Sequence, residues 1–308
     1  MESLQFDNDD QEKACHDLLK ELSEAEVEAA ALTSFHYALV AAKEANSPST
    51  EGKNTQQKTQ CALRMIRRHL VAQKNNREDA MKSVHETLEF RNTNRVNDIR
   101  SVNLKAKGAE DDDPFLNPIR DAIIADAVPK PKMIVRGNDN EGRATLIKFQ
   151  NSRFVLRDNP DLFIQVQIYW VERAIACSER HGQEKINLVM DYTGYSRDNK
   201  PPVSLLRRFI TTLQSHYPER LHLMVGCDPT LLLRSIWSVV SWFVDPDTRE
   251  KIMFVSGKEA KMQQVFKHYE PEQAMAFLLP SGTLGLVKED ELRKFIFEYR
   301  LDQNYDGH

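Results

Sequence analysis

Along residues 10–45 apolar side chains recur at helical spacing. Leu18, Leu19, Leu22, Val27, Ala30, Ala31, Phe35, Ala38 and Leu39 mark one face, and neither Gly nor Pro interrupts them. A repeat near 3.6 residues predicts helix. The next ten residues, Asn46-Ser-Pro-Ser-Thr-Glu-Gly-Lys-Asn-Thr, are polar and turn-rich and read as a linker. Helical spacing returns over 57–92 through Ala62, Leu63, Met65, Ile66, Leu70, Ala80, Val84, Leu88 and Phe90. The Asn75-Asn76 pair divides that stretch into two helices. Residues 101–118 carry an acidic run, Glu110 to Asp113, followed by Pro114, and read as a connecting loop with a solvated surface.

From Pro129 the period alternates between 2 and 3.6. Met133 to Val135 and Ala144 to Phe149 are short strand candidates around an Asn138-Asp139-Asn140 turn. Asp161 to Cys177 reads as helix, Ile186 to Met190 as a buried strand, and Val203 to Leu213 as a helix with one clean apolar face. Leu221 to Val225 and Ile252 to Val255 are further strands. Residues 289–300, with Leu292, Phe295, Ile296 and Tyr299, predict a final helix. Strands alternating with helices imply an α/β fold with a mostly parallel sheet.

One run differs from the rest. Between Thr230 and Val244 the only charge is Arg234. Pro229 opens the run and Asp245-Pro246 closes it. It is shorter than the roughly 20 apolar residues needed to cross a bilayer. A helix apolar on all sides requires a cover, either protein core or a hydrophobic ligand.

Composition narrows the function classes. The 308 residues are 41% apolar and 29% charged, with a net charge of −4, so no global charge argues for a nucleic-acid partner. Cys15, Cys61, Cys177 and Cys227 are widely spaced and read as reduced thiols in a cytosolic protein. The acidic N-terminus lacks a signal pattern. No nucleophile elbow, Walker loop, HExxH or GxGxxG is present, which points away from an enzyme with a familiar site and from a metal or organic cofactor. His216 and His222, six residues apart, are no metal signature.

Several motifs fall in a familiar order. They are Leu63-Arg64-x-x-Arg67 in a helical pattern, Gly142-Arg143 before a strand, and Asp191-x-x-Gly194-x-Ser196 after one. Tyr217-Pro218-Glu219-Arg220, Pro229, Asp245-Pro246-x-Thr248, Lys251-Ile252 and Gly257 follow. Over roughly residues 58–283 this order resembles the CRAL-TRIO lipid-binding family. The resemblance implies a lipid-binding lobe with a mobile gate helix over a hydrophobic pocket. It divides the chain into a helical extension and linker (1–56), an N-terminal helical module (57–110), the lobe (111–285) and a C-terminal helix and tail (286–308). The Thr230–Val244 run takes the gate position, with Leu232, Ile236, Trp237, Val240, Trp242 and Phe243 as pocket and gate residues.

Glu219, Thr248 and Lys251 occupy the family's headgroup positions, and an arginine from the Arg64–Arg67 region belongs with them. The chemistry suits an inositol lipid. Lys251 offers a compact cation to a phosphodiester, Thr248 a hydroxyl donor, and Glu219 an acceptor for ring hydroxyls. The bland reading of the same residues is a structural salt bridge with a capping threonine. Asp191 and Gly194 read first as a turn and only second as ligand contacts. A tyrosine that assists choline-lipid binding in the family has no counterpart; Glu172 is the nearest residue.

The expectation is binding and transfer of a phospholipid, foremost phosphatidylinositol, by a cytoplasmic protein that docks transiently on membranes. The alternatives are a lipid-sensing scaffold that meets a protein partner through its terminal helices, and a carrier of a sterol or isoprenoid.

Overall fold

The computed structural model describes residues 4–44, 51–102, 113–127, 132–150 and 159–270. The final helix expected over 289–300 lies outside them. The chain divides into two compact units, the first comprising residues 1–97 with 212–220 and the second 98–211 with 221–308.

The first unit is helical. It contains α1 (Asp9–Glu21), α2 (Glu24–Ala31), α3 (Phe35–Glu44), α4 (Glu51–Ala72) and α5 (Arg77–Thr93). The single helix expected over 10–45 is broken twice. Leu22 turns to extended backbone, and Ser23 then starts α2 with a capping box: Ser23 N–H donates to the Glu26 carboxylate at 2.8 Å, and Glu26 N–H to Ser23 Oγ at 3.3 Å. Past Ala31, the Thr33 hydroxyl bonds the Ala30 carbonyl at 2.7 Å and competes with helix continuation. The expected linker is also shorter, because α4 already begins at Glu51. Asn76 caps α5 by accepting from Glu78 N and Asp79 N. Its core joins Cys15, Leu18, Leu22, Ala30, Ala31 and Tyr37 to Ala62, Leu63, Met65, Ile66, Leu70, Ala80 and Val84. Residues before and after position 56 therefore share one core.

The short helix α6 (Val96–Arg100) leads to the second unit, and α7 (Leu116–Ala127) begins in the last residues of the expected loop. Asp113 accepts from Phe115 N and Leu116 N at the start of α7. The unit is built on a sheet of order β1 (Met133–Asn138), β2 (Ala144–Phe149), β3 (Ile186–Asp191), β4 (Leu221–Cys227) and β5 (Ile252–Val255). β1 and β2 form an antiparallel hairpin, and the three remaining pairings are parallel. At the hairpin, Asp139 accepts from Arg143 N at 2.8 Å while Gly142 takes φ +90°. A Cβ there would meet His181 Cβ at 2.7 Å.

Between the parallel strands run α8 (Pro160–Arg180), α9 (Val203–His216), then α10 (Leu231–Val240) with α11 (Pro246–Glu250); α12 (Lys258–Gln264) follows β5. Such connections are what parallel pairing demands. α8 is buried along most of its length, and within it Glu172 faces Arg100 at 3.6 Å, both nearly inaccessible.

Candidate functional site

The register of the sheet aligns one residue from each strand. Met133 pairs with Lys148, Lys148 with Met190, Met190 with Gly226, and Gly226 with Phe254. Residues in direct register share a face, so this row forms part of one side of the sheet. At its β3–β5 end α10 lies over it. Leu233 is buried with Tyr192 and Tyr195, and Met190, Leu232, Ile236 and Phe254 pack around them. The Trp237 ring meets Phe254 nearly edge-on, with centroids 5.5 Å apart. Val240 is buried at the end of the helix.

Local chemistry bounds this helix. Thr230 caps it by accepting from Leu233 N at 3.3 Å. A 3-10 turn, Ser241–Phe243, extends it. Arg249 then donates to the Ser241 and Val244 carbonyls at 2.7 and 3.0 Å, which satisfies acceptors left at a helix end. Asp245 restarts the chain as α11 by accepting from Thr248 N at 2.7 Å. At the other end Asp228 sits at φ +53° and accepts from buried Lys261 and from Gly257 N. The loop between β4 and α10 is thereby tied to the loop after β5.

The cover required by an all-apolar helix exists on one side only. Leu231 is 83% exposed, Val239 51% and Trp242 83%. Arg234, Ser235 and Ser238 share that exposure. Nearly three turns of helix present one stripe to the sheet, and the remaining apolar residues point outward. Phe243 is partly buried, beneath the Arg207 guanidinium at 4.8 Å. The residues expected at a gate thus separate: Leu232, Ile236, Trp237 and Val240 lie on the sheet side, Phe243 is partly buried, and Trp242 is exposed.

The headgroup candidates fall in two groups. In the second unit Thr248 and Lys251 are one turn apart, Lys251 N donating to Thr248 O at 3.1 Å, and Lys251 O accepts from Met224 N at the entry to β5. In the first unit, Glu219 holds φ +55°, a left-handed conformation rarely adopted by glutamate. Arg64 is buried, whereas Arg67 is partly exposed and pairs with Asp7 at 3.4 Å. Asp191 serves a turn, accepting from Thr193 N at 2.9 Å, and Gly194 takes φ +73°.

Burial pushes the Cys227 thiol up to about 12 and the Cys15 and Cys177 thiols to about 11, so these cysteines stay protonated and unreactive. An open groove of about 700 Å³ lies elsewhere, in the first unit. Its lining includes Leu18, Met81, Arg77 and the carboxylates Glu21, Glu78, Glu86 and Glu89, a surface unsuited to acyl chains.

Sequence reading missed Met190, Tyr192, Tyr195, Gly226 and Phe254. Met190 and Phe254 carried a weak signal as period-2 positions of β3 and β5. Gly226 carried none, because its importance is the absence of a side chain beside Phe254.

Among the described residues no cluster of His, Cys, Asp or Glu could hold a metal ion, and no helix is long and apolar enough to cross a membrane. Residues 130–278 match the CRAL/TRIO domain family. The chain is 30% identical over 244 residues to the phosphatidylinositol transfer protein PDR17 of Saccharomyces cerevisiae, covering 76% of this chain and 60% of that protein. A CRAL-TRIO domain-containing protein of Schizosaccharomyces pombe, C365.01, is 27% identical over 177 residues, half of its length. Protein real-time of Aedes aegypti is 27% identical over 124 residues, 19% of its length. The chain therefore spans less than two thirds of each of these relatives. The crystal structure of Sfh5 shares the fold at a TM-score of 0.58 and 17% identity, covering 96% of this chain and 98% of that one.

Proposed function

We propose, from the premise that this chain belongs to the CRAL/TRIO family through residues 130–278, that it binds a phospholipid, phosphatidylinositol above all, and carries it between membranes without catalysis. The observation that carries the reading is the two-sidedness of α10. One apolar face lies on the row Met190–Gly226–Phe254, and the other exposes Leu231, Val239 and Trp242. A helix with both properties can cover an acyl chain from one side and lie on a bilayer with the other. Moving a two-chain lipid through water exposes about 30 methylenes at about 0.8 kcal/mol each, so an apolar cover removes a cost of roughly 20 kcal/mol or more. Headgroup contacts then supply selectivity.

A relative supports the choice of ligand. PDR17 is named a phosphatidylinositol transfer protein and aligns with 76% of this chain. We assign Lys251 and Thr248 to the phosphodiester and Glu219 to ring hydroxyls. Arg64 or Arg67 adds positive charge. Lys and Thr donors suit an anion, and a carboxylate suits hydroxyl donors. In this reading the protein is peripheral at membranes, and α10 moves aside during loading.

The test is lipid exchange between vesicles, with native mass spectrometry of protein purified from a eukaryotic host. A bound phospholipid and accelerated transfer of phosphatidylinositol are expected. Protein that carries no amphiphile and accelerates no exchange would overturn the reading.

A further inference from the structure

We infer that Lys148 is a second anion site, at the β2 end of the apolar sheet row, for the compact charged head of a single-chain amphiphile: a carboxylate or a phosphate monoester. The inference rests on the reading of that sheet face as a lipid-binding surface, and it assigns a residue that the headgroup motif does not include.

Lys148 is in direct register with Met190, which packs in the cluster beneath α10. The same face of the sheet therefore changes from apolar at Phe254 to cationic at Lys148. Three strand spacings of about 4.8 Å put these two residues roughly 14 Å apart. Lys251 lies outside β5, at the C-terminal cap of α11, three residues before Phe254. The two lysines are thus separate positions with an apolar floor between them.

Among the described residues no carboxylate pairs with Lys148. Its Nζ donates to Gln167 Oε1 at 2.8 Å and lies 5.8 Å from the centre of the Phe163 ring. Both residues belong to α8, and both partners are neutral. The carboxylate with the strongest influence is Asp126, but it pairs with Lys132 at 2.7 Å. Lys148 is half-buried, the single residue of β2 that is not fully buried, and an ammonium beside an amide and a ring is costly to the extent that it is desolvated. Accordingly burial pushes Lys148 down to about 8, with Asp126 acting against the shift and Lys132 with it. A structural role would be filled more cheaply by an apolar residue, as at Met190 in the same row. With α10 moved aside as in the reading above, an anion arriving on an acyl chain supplies the missing charge and lays its methylenes on Met190 and Phe254. Gln167 and Phe163 then orient the ammonium without neutralising it.

The test uses the full chain and a neutral fluorescent reporter, methyl cis-parinarate, displaced in turn by oleate, oleoyl lysophosphatidate and methyl oleate. In the parent protein at least one anionic competitor should act at least tenfold better than methyl oleate. Which anion leads identifies the head as carboxylate or phosphate. In Lys148→Met that advantage should fall below twofold while methyl oleate competes as before, and Lys148→Arg should keep it. Equal competition by anion and ester in the parent protein overturns the inference, and needs no variant to fold. So does an undiminished advantage in Lys148→Met with a normal melting curve. If the reporter itself fails to bind, the lipid surface of the preceding section fails and this inference with it; loss of discrimination alone overturns only the role of Lys148.

Discussion

Gly226 lies under the Phe254 ring so closely that a Cβ on it would stand 2.5 Å from Cδ1 and 2.6 Å from Cε1. Phe254 in turn meets Trp237 of α10. The size of residue 226 therefore sets how near α10 can lie to the sheet. Gly226→Ala should push Phe254 and Trp237 outward, cost about 1–3 kcal/mol by overpacking, and reduce the lipid retained on purification. A melting curve and native mass spectra of the variant check both effects.

Trp242 is suited to test membrane docking because it is 83% exposed and contributes little to the fold. Aromatic rings favour the membrane interface. Trp242→Asp should slow lipid transfer at least severalfold and leave circular dichroism and melting temperature unchanged. Tryptophan emission of the parent protein should shift to the blue on adding liposomes, and less so in the variant. Unaltered transfer would show that docking uses another surface.

Lys251→Ala should weaken phosphatidylinositol transfer by about 2–5 kcal/mol, the cost of leaving a buried anion unpaired. Transfer of a choline lipid, driven by acyl burial, should survive. A structural lysine would lower both activities together with the melting temperature. Measuring two lipids and one melting curve separates the readings.

Glu219 occupies a left-handed backbone position that costs a side-chain-bearing residue about 1–2 kcal/mol and glycine almost nothing. Strain of this kind often accompanies function. Glu219→Gly should therefore leave the protein as stable or more stable, by up to about 1 kcal/mol, while selection for the inositol lipid falls. Reduced stability with selection intact would assign Glu219 to structure.

In the first unit, burial pushes His69 down to about 3, with Arg68, His216 and Arg220 adding to the effect. His216 is lowered to about 4, first by burial, and stacks on Phe90 with ring centroids 4.0 Å apart. Both are neutral in the fold, so the unfolded chain takes up protons first as pH falls. The contribution of these two histidines to stability should be level well above pH 6.5, fall as pH drops through 6.5, and keep declining towards pH 4 and below. For His69 alone the decline amounts to roughly 4–5 kcal/mol once pH reaches 3. Urea melts at pH 7.5, 5.5 and 4.5 should show this slope, and His69→Gln should flatten it.

Deleting residues 1–50 should unfold the first unit, since Cys15, Leu18, Leu22 and Tyr37 belong to its core. Each large apolar side chain contributes about 1.5–3 kcal/mol, comparable together with the whole margin of a domain. Loss of more helical circular dichroism than the deleted residues carry is the expected result.

What the sequence by itself determined was local. β2 at 144–149 and β5 at 252–255 coincide with the expected strands, the start of α10 follows from Thr230, and that of α11 from Asp245-Pro246. Caps and periodicity act between residues a few positions apart, so a single chain segment holds all the information. The Ser23-x-x-Glu26 box that ends the first helix is equally local and was legible in principle. The sheet row Met133–Lys148–Met190–Gly226–Phe254 was not. Five segments supply it, and only the pairing register brings them level. The two faces of α10 are of the same kind. Nothing within Leu231–Val240 distinguishes Leu231 from Leu233; one is exposed and the other buried because of where Tyr192, Tyr195 and Phe254 lie. Burial is a relation between distant parts of the chain, and tertiary packing alone decides it.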